Sequence, residues 1–338
     1  MQFSLFFFSS LFSYNESQKY NLVIEATKFA DKNNFKAVWL PERHFNDFGG
    51  LFPNPALIGA ALSTLTTEIQ IRAGSVVLPL NNPILIAEQW ACLDNLTNGR
   101  IGLSAAAGWH PDDFILNPEN YPKRYEILYQ NIELIQKLWE DQKVDAYNGN
   151  NKLIQFSIFP KPIQKKLPLW LTAAGSIENF EKAGRIGCNI LTHLLNHDIN
   201  QLKDKIELYH KVCKENNFKG HVTLMLHTYL GENSDVIRDL AYKPLIKYLK
   251  NSMELEKRAK GIDELIDNDD EEILLDFAFE KYFENGLFGT VENCKFYVNQ
   301  LKKIGIDEIA CLIDFGLEDK KIMSGLKYLS DLNNIFLS

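Results

Sequence analysis

The spacing of hydrophobic and polar positions changes period repeatedly along this chain. Apolar runs of strand length, FSLFFF (3–8) and KAVWLP (36–41), alternate with stretches whose apolar positions recur every three or four residues, YNLVIEATKFADKNN (20–34) and PALIGAALSTLTT (55–67). Asn54-Pro55 is a helix-start signal. The alternation repeats with IQIRAGSVVLPL (69–80) as strand, PILIAEQWACLDNL (83–96) as helix and RIGLSAAAG (100–108) as strand, and Asn98-Gly99 supplies the left-handed stop between the last two. Four βα units are complete by about residue 140. KVDAYNGNNKLIQFSIFPKPIQKK (143–166) breaks the rhythm with an Asn-Gly turn and two prolines, and reads as an excursion of short strands or loop.

LPLWLTAAGS (167–176) restores the pattern, followed by a helix to Gly187, the strand CNILTHLL (188–195), a helix over 198–216 and the strand HVTLMLHTYL (221–230). A helical tract from about 234 to 303 precedes the strand DEIACLI (307–313) and a closing helix. Eight strands apolar on both faces, each followed by a helix, predict a single α/β domain over 1–338, a closed (βα)8 TIM barrel with enlarged loops; its irregular segments are the excursion near 143–166 and a helical insertion near 234–285. A doubly wound open sheet is the alternative.

Composition narrows the function. With 46% hydrophobic residues in 338, the chain can bury a large core. A net charge of −8 without clustered Lys and Arg argues against nucleic acid or an anionic membrane as partner, so small molecules are better candidates. Five scattered cysteines suit reduced thiols in a cytoplasm. The opening MQFSLFFFSSLF lacks the basic flank and cleavage site of a signal peptide and reads as a buried first strand. DELIDNDDEE (263–272) holds seven acids in ten positions, a pattern of solvated loops rather than of metal sites, and no metal is expected.

In a barrel the working residues stand at the C-terminal strand ends. That rule selects Glu42, Arg43 and His44 after the second strand, Ser75 in the third, Trp109, His110 and Asp112 after the fourth, Gly175 and Ser176 after the fifth, His193 at the end of the sixth and His227 near the end of the seventh. His193 and His227 taken singly also suit hydrogen-bonded wall residues, and E-R-H also suits a local ion-pair network. Ala174-Gly175-Ser176 ends a strand and opens a helix, a place for an anion, although Ser176 also suits a plain N-cap with Asn179 at N3.

At these residues the chain resembles the bacterial luciferase-like flavin monooxygenases, in VWLPERHFNDFGG, AGSVVLPLNNPILIAEQWACLDNLTNGRIGLSAAAGW, LPLWLTAAGS and FGTVENCKFYVNQLKKIGIDEI. RAGSVVLPL, PERHF, GWHPDDF and HVTLMLHTYLG are most similar to the branch found in polyketide and nonribosomal-peptide assembly lines. The resemblance implies FMN at the barrel mouth, with Gly74-Ser75, where the family often has a non-prolyl cis peptide, and the small wall Ala105, Ala106, Ala107 and Gly108 beside the ring. Tyr121 and Tyr125, with Ala174, Gly175 and Ser176, would hold the phosphate. Two departures stand out: Arg43 replaces the first histidine of luciferase's E-H-H-F, and Ala107 replaces a phosphate-binding arginine. No G-x-G-x-x-G follows a strand, so the resemblance implies that a separate flavin reductase supplies FMNH2 and that O2 is the co-substrate.

His44, Arg43 and His193 are the expected catalytic residues, the first two stabilising the oxygenated flavin or polarising the substrate; the fixed charge of Arg43 is expected to favour a neutral His44. An acyl or aminoacyl group on a carrier protein is the expected substrate, and a homodimer the expected assembly. A deazaflavin-dependent oxidoreductase and a non-catalytic flavin-binding partner subunit are the alternatives.

Overall fold

A computed structural model describes residues 1–8, 19–173, 175–194, 198–261 and 268–337. Eight parallel strands close into a barrel: β1 (Gln2–Phe6), β2 (Ala37–Leu40), β3 (Gln70–Val77), β4 (Ile101–Ala106), β7 (Leu169–Thr172), β8 (Asn189–His193), β9 (Val222–Leu230) and β11 (Glu308–Leu312), the last pairing back onto β1. Helices α1 (Asn21–Lys32), α2 (Pro55–Ser63), α3 (Pro83–Thr97), α4 (Arg124–Trp139), α5 (Ile177–Arg185), α6 (Ile199–Glu215), α9 (Val291–Lys303) and α10 (Asp319–Leu337) follow them in turn. The open sheet is therefore set aside. Local chemistry sets the boundaries: the Asn54 side chain accepts the Leu57 N–H with Pro55 in the first turn, and Asn98, at φ 54°, ends α3.

The 143–166 excursion forms an antiparallel hairpin, β5 (Val144–Tyr147) with β6 (Leu153–Phe156). It joins a helix to the next strand, so it lies beneath the barrel; buried Asp94 at the end of α3 ties it down by accepting the Ile163 and Gln164 N–H groups at 2.7 and 2.9 Å. The second irregular segment leaves a strand end and lies at the mouth, as α7 (Ser234–Lys260) and α8 (Asn268–Glu284). The expected helical tract from 234 to 303 is not continuous. Asn285-Gly286 ends α8, and β10 (Leu287–Gly289) pairs parallel to Thr228–Leu230, lengthening the sheet beyond β9's pairing with β11.

Polar chemistry fills the lower barrel interior. Arg72 of β3 reaches both Glu308 carboxylate oxygens through Nη1, at 3.0 and 2.9 Å, and its guanidinium lies between the rings of Trp39 and Trp170, 4.8 and 4.4 Å from their centroids. Ser4 Oγ, Trp39 Nε1 and His221 Nε2 complete the carboxylate's shell at 2.6, 3.2 and 3.2 Å. A Cβ on Gly102 would stand 2.8 Å from Trp170, so this position of β4 stays bare to admit the Trp170 and Arg72 side chains. Burial alone would raise the Glu308 pKa, but Arg72 and His221 overcome it and hold the carboxyl far below its ordinary range.

Glu308→Gln should leave Arg72 as an uncompensated buried charge and cost about 3–5 kcal/mol in urea unfolding at neutral pH. A depressed carboxylate pKa contributes stability that is present above the unfolded value of 4.5 and is lost as pH falls towards the folded one. The gap between parent and variant should therefore narrow below about pH 4.5; a constant gap down to acid unfolding would contradict the assignment.

Candidate active site

The loop after β2 carries the first cluster. Glu42 is buried, and its carboxylate accepts from Val77 N at 2.7 Å, Asn81 Nδ2 at 2.9 Å and His44 Nε2 at 3.1 Å, which fixes the β2 loop to the turn after β3. The half-buried His44 ring is thus held through one nitrogen, and Nδ1 makes no hydrogen bond with the described residues. Arg43 turns the other way. Its Nη1 donates to Asp113 Oδ2 at 2.7 Å, both side chains being 3% exposed, and its guanidinium packs over Trp109. Of the two neighbours expected to orient His44 or set its charge, Glu42 is the one bonded to it, while Asp113 is the group paired with Arg43.

Burial pushes Arg43 below and Asp113 above their ordinary ranges while each partner's charge pulls the other back, and Arg43 Nε and Nη2 lack hydrogen-bond partners among the described residues. His110 is fully buried beside this pair. Its Nδ1 accepts the Asp112 N–H at 3.2 Å, and burial followed by Arg43 lowers its pKa.

At the middle of the mouth the Gly74–Ser75 peptide is cis. Ser75 Oγ hydrogen-bonds Thr172 Oγ1 and lies 3.4 Å from Ser104 Oγ, and Ser104 and Thr172 are 2.7 Å apart, so three strands present a hydroxyl cluster. Ser104 and Thr172 escaped the sequence reading; alternate inward positions, Gly102-Ser104 and Trp170-Thr172, are the signal that finds them. A Cβ on Gly74 would meet Phe6 at 2.8 Å and Trp39 at 3.1 Å, so its smallness serves the interior beneath the mouth. Of the alanine wall, Ala105 and Ala107 are core residues, while Ala106 and Gly108 keep accessible surface.

The ends of β4 and β7 form the basic side. Arg124, not selected from sequence, packs over Tyr121 and Tyr125 at 4.4 and 5.2 Å, gives Nη1 to Tyr121 O, and leaves Nε buried without a partner among the described residues. Its signal is a cation inside YPKRY. Ser176 precedes α5 with an extended backbone, yet its hydroxyl caps nothing: it hydrogen-bonds Glu178, whose carboxylate also takes its own N–H and is thereby lowered in pKa. Asn179, expected at N3 of a cap, instead accepts from Tyr129 Oη at 3.0 Å. Gly175 is exposed, and Ala174 lies outside the described residues.

The N–H groups of the α5 N-terminus, where the Glu178 carboxylate now sits, and an orphaned guanidinium N–H are donors that suit a phosphate dianion. Across the mouth, His193 ends β8 and His227 stands on β9, where burial and then His193 lower its pKa to about 3. Among the described residues no group of His, Cys, Asp and Glu is able to hold a metal; residues 262–267 of the acidic run lie outside them.

Residues 1–308 match the family described as luciferase-like monooxygenase. The chain belongs to that family. This luciferase-like monooxygenase is 25% identical to the oxygenase component of a flavin-dependent trigonelline monooxygenase from Acinetobacter baylyi, over 97% of this chain and 93% of that one. Its fold is similar to monooxygenase RslO1 from Streptomyces bottropensis, with a TM-score of 0.82 at 17% identity and complete coverage of both chains. The FMN-bound oxygenating constituent of 3,6-diketocamphane monooxygenase from Pseudomonas putida gives 0.75 at 15%, over 98% and 97% of the chains. The protein is a flavin-dependent oxidoreductase of the monooxygenase type.

The Arg43–Asp113 pair yields a stability prediction. Asp113→Ala should cost about 3–5 kcal/mol because it strands a buried cation, whereas Arg43→Met combined with Asp113→Leu should recover most of that loss. Denaturant midpoints of the three proteins, parent included, measure both effects, and a double variant no more stable than Asp113→Ala would contradict the pairing.

Proposed function

We propose that this monooxygenase is the oxygenase component of a two-component system of natural-product biosynthesis, which takes FMNH2 from a separate flavin reductase, uses O2, and oxygenates an acyl or aminoacyl group tethered to a carrier protein. The observation that carries the flavin assignment is the polarity of the mouth. A donor-rich end at Arg124 and α5 faces, across the hydroxyl cluster of Ser75, Ser104 and Thr172, an aromatic side around His227.

Arg124 Nε, the α5 N–H groups and the Ser176 hydroxyl would bind the FMN phosphate, with Glu178 displaced from the helix end by the stronger anion. Bound reduced FMN supplies the two electrons with which O2 is activated. His44, oriented by Glu42, would hold or donate a proton at Nδ1, and Arg43 keeps a positive charge behind Trp109. His193, at the end of β8, would act on the substrate side.

The likeness of GWHPDDF and HVTLMLHTYLG to assembly-line proteins supports a tethered substrate. Leu57 on α2 and Leu85 and Leu96 on α3 are more than half exposed, which supports a second copy of the chain packing there.

Arg124→Gln should weaken FMN binding by about 1.5–3 kcal/mol and Ser176→Ala by about 1 kcal/mol, leaving riboflavin affinity unchanged in both. A parent protein that binds FMN and riboflavin alike would refute this phosphate site. His44→Ala should keep flavin affinity and melting temperature while diverting turnover from product to hydrogen peroxide. Product mass from a loaded carrier protein, reductase and labelled O2, with peroxide measured alongside, checks it; full coupling in the folded variant would place His44 outside the chemistry.

A further inference from the structure

The side of the mouth away from the phosphate end holds an aromatic chamber, none of whose residues is assigned to bind the flavin. His227 Nε2 is its distinctive atom. The residue is 4% exposed, and this nitrogen is buried with no hydrogen-bond partner among the described residues. Around the imidazole stand Tyr248 of α7, edge-on at 4.9 Å, Tyr282 of α8 at 5.4 Å, and Phe315, after β11, at 6.1 Å. Phe48 packs on Tyr248 at 4.9 Å and Phe8 on Phe48 at 5.3 Å, which continues the wall to the ends of β2 and β1.

Burial pushes the Tyr248 hydroxyl well above its ordinary range and that of Tyr282 up to about 12, yet both rings retain accessible surface. The partly accessible faces of these two rings border the space over His227. The insertion roofs it: Pro244 lies against Gly316 beyond β11, Tyr248 against Phe48 beyond β2, and α7 continues to buried Leu255.

We propose, resting on the monooxygenase reading above, that this hollow receives the reacting end of the substrate as an uncharged planar or acyl group, and that His227 Nε2 hydrogen-bonds its oxygen. His227 is a specificity-determining residue in this account. Its pKa of about 3 keeps the imidazole neutral at working pH, so Nε2 meets a carbonyl as donor or a hydroxyl as acceptor, according to tautomer, without a counter-charge. An orphaned buried ring nitrogen costs free energy until a ligand satisfies it, which is how a site comes to demand a polar atom at one place.

Charge decides the class. The carboxylates sensed by the two tyrosines are Asp314, at Tyr248, and Glu256, at Tyr282. Asp314 is buried and accepts the Phe8 N–H through both oxygens at 2.9 and 3.0 Å. Arg238, farther along over Phe279 and Phe283, is exposed and paired with Glu280. Of the described residues that act on His227, His193 alone is basic; while its imidazole is neutral, a free carboxylate entering the hollow would lose water without gaining a cation, whereas its ester, thioester or amide would not.

The test is calorimetric binding to the whole chain, without flavin and with oxidised FMN, using 2-naphthol, 2-naphthoate, naphthalene and N-methylquinolinium as probes. Naphthol should bind at least about tenfold more tightly than naphthoate, since an unpaired buried charge costs several kcal/mol. His227→Phe should weaken naphthol about fivefold, one net hydrogen bond, and leave naphthalene unchanged, while His227→Gln should retain naphthol. Naphthoate or the quinolinium cation binding as well as naphthol overturns the proposal, as does an unaltered naphthol affinity in a folded His227→Phe. Failure of every probe in a protein that still binds FMN overturns it too, and leaves the flavin reading intact. Naphthol selectivity without FMN binding would instead sustain the chamber and strike at the flavin assignment.

Discussion

A buried ion pair inside the barrel, Arg72 with Glu308, is the constraint on which the rest of the structure depends. The two residues sit three strands apart around the ring, and their charges are satisfied only when β11, β1, β2 and β3 close in one register. The guanidinium between Trp39 and Trp170 extends that requirement to β7, and the Trp170 Nε1 bond to Thr223 extends it to β9. A slip of one residue in any of these strands would move its inward side chain to the helix-facing side and leave a charge unpaired in the interior. Closure in one register in turn brings eight strand ends to a common mouth, which is a precondition for a site assembled from residues far apart in sequence.

At the mouth the same economy of charge recurs with a different purpose. Arg43 and Asp113 neutralise each other and lock the segment after β2 to the segment after β4, while Glu42 binds the loop to the turn after β3 and orients His44. Of the adjacent residues, Glu42 and His44 thus hold each other while Arg43 answers to Asp113. What remains at the surface of the site is one oriented imidazole, a set of hydroxyls and a small-residue wall, a lining that admits a flat ring and leaves few competing charges near it.

The mouth is polar at one end and aromatic at the other, and the two ends come from opposite sides of the ring. Arg124 and the N-terminus of α5 stand over β4 and β7, while His227, Phe315 and Phe8 stand over β9, β11 and β1. The first arrangement suits the proposed cofactor with its anionic tail, and the second the uncharged substrate group proposed for it. The helical insertion α7–α8 supplies Tyr248 and Tyr282, so the chamber exists only because the chain leaves the barrel after β9 and crosses the mouth before β10.

The order of the barrel strands and helices, the caps at Asn54 and Asn98 and the place of the two irregular segments were determined by the sequence itself, because they follow from side-chain periodicity and turn chemistry acting within a few residues. Those signals also put His44 and Ser176 beyond strand ends and Ser75 within the third strand, where the structure has them. Partners across the barrel were not legible. E-R-H gives no sign that Arg43 answers to Asp113, seventy positions on, nor does a lone His227 show which rings surround it. Ser176 was readable as a helix start, but its bond to Glu178 instead of a cap depends on where the free hydroxyl finds an acceptor. Local pattern specifies which face of an element is buried; which buried groups meet is decided only when closure forces every polar atom in the interior to find a partner, a condition on the whole chain that no short window contains.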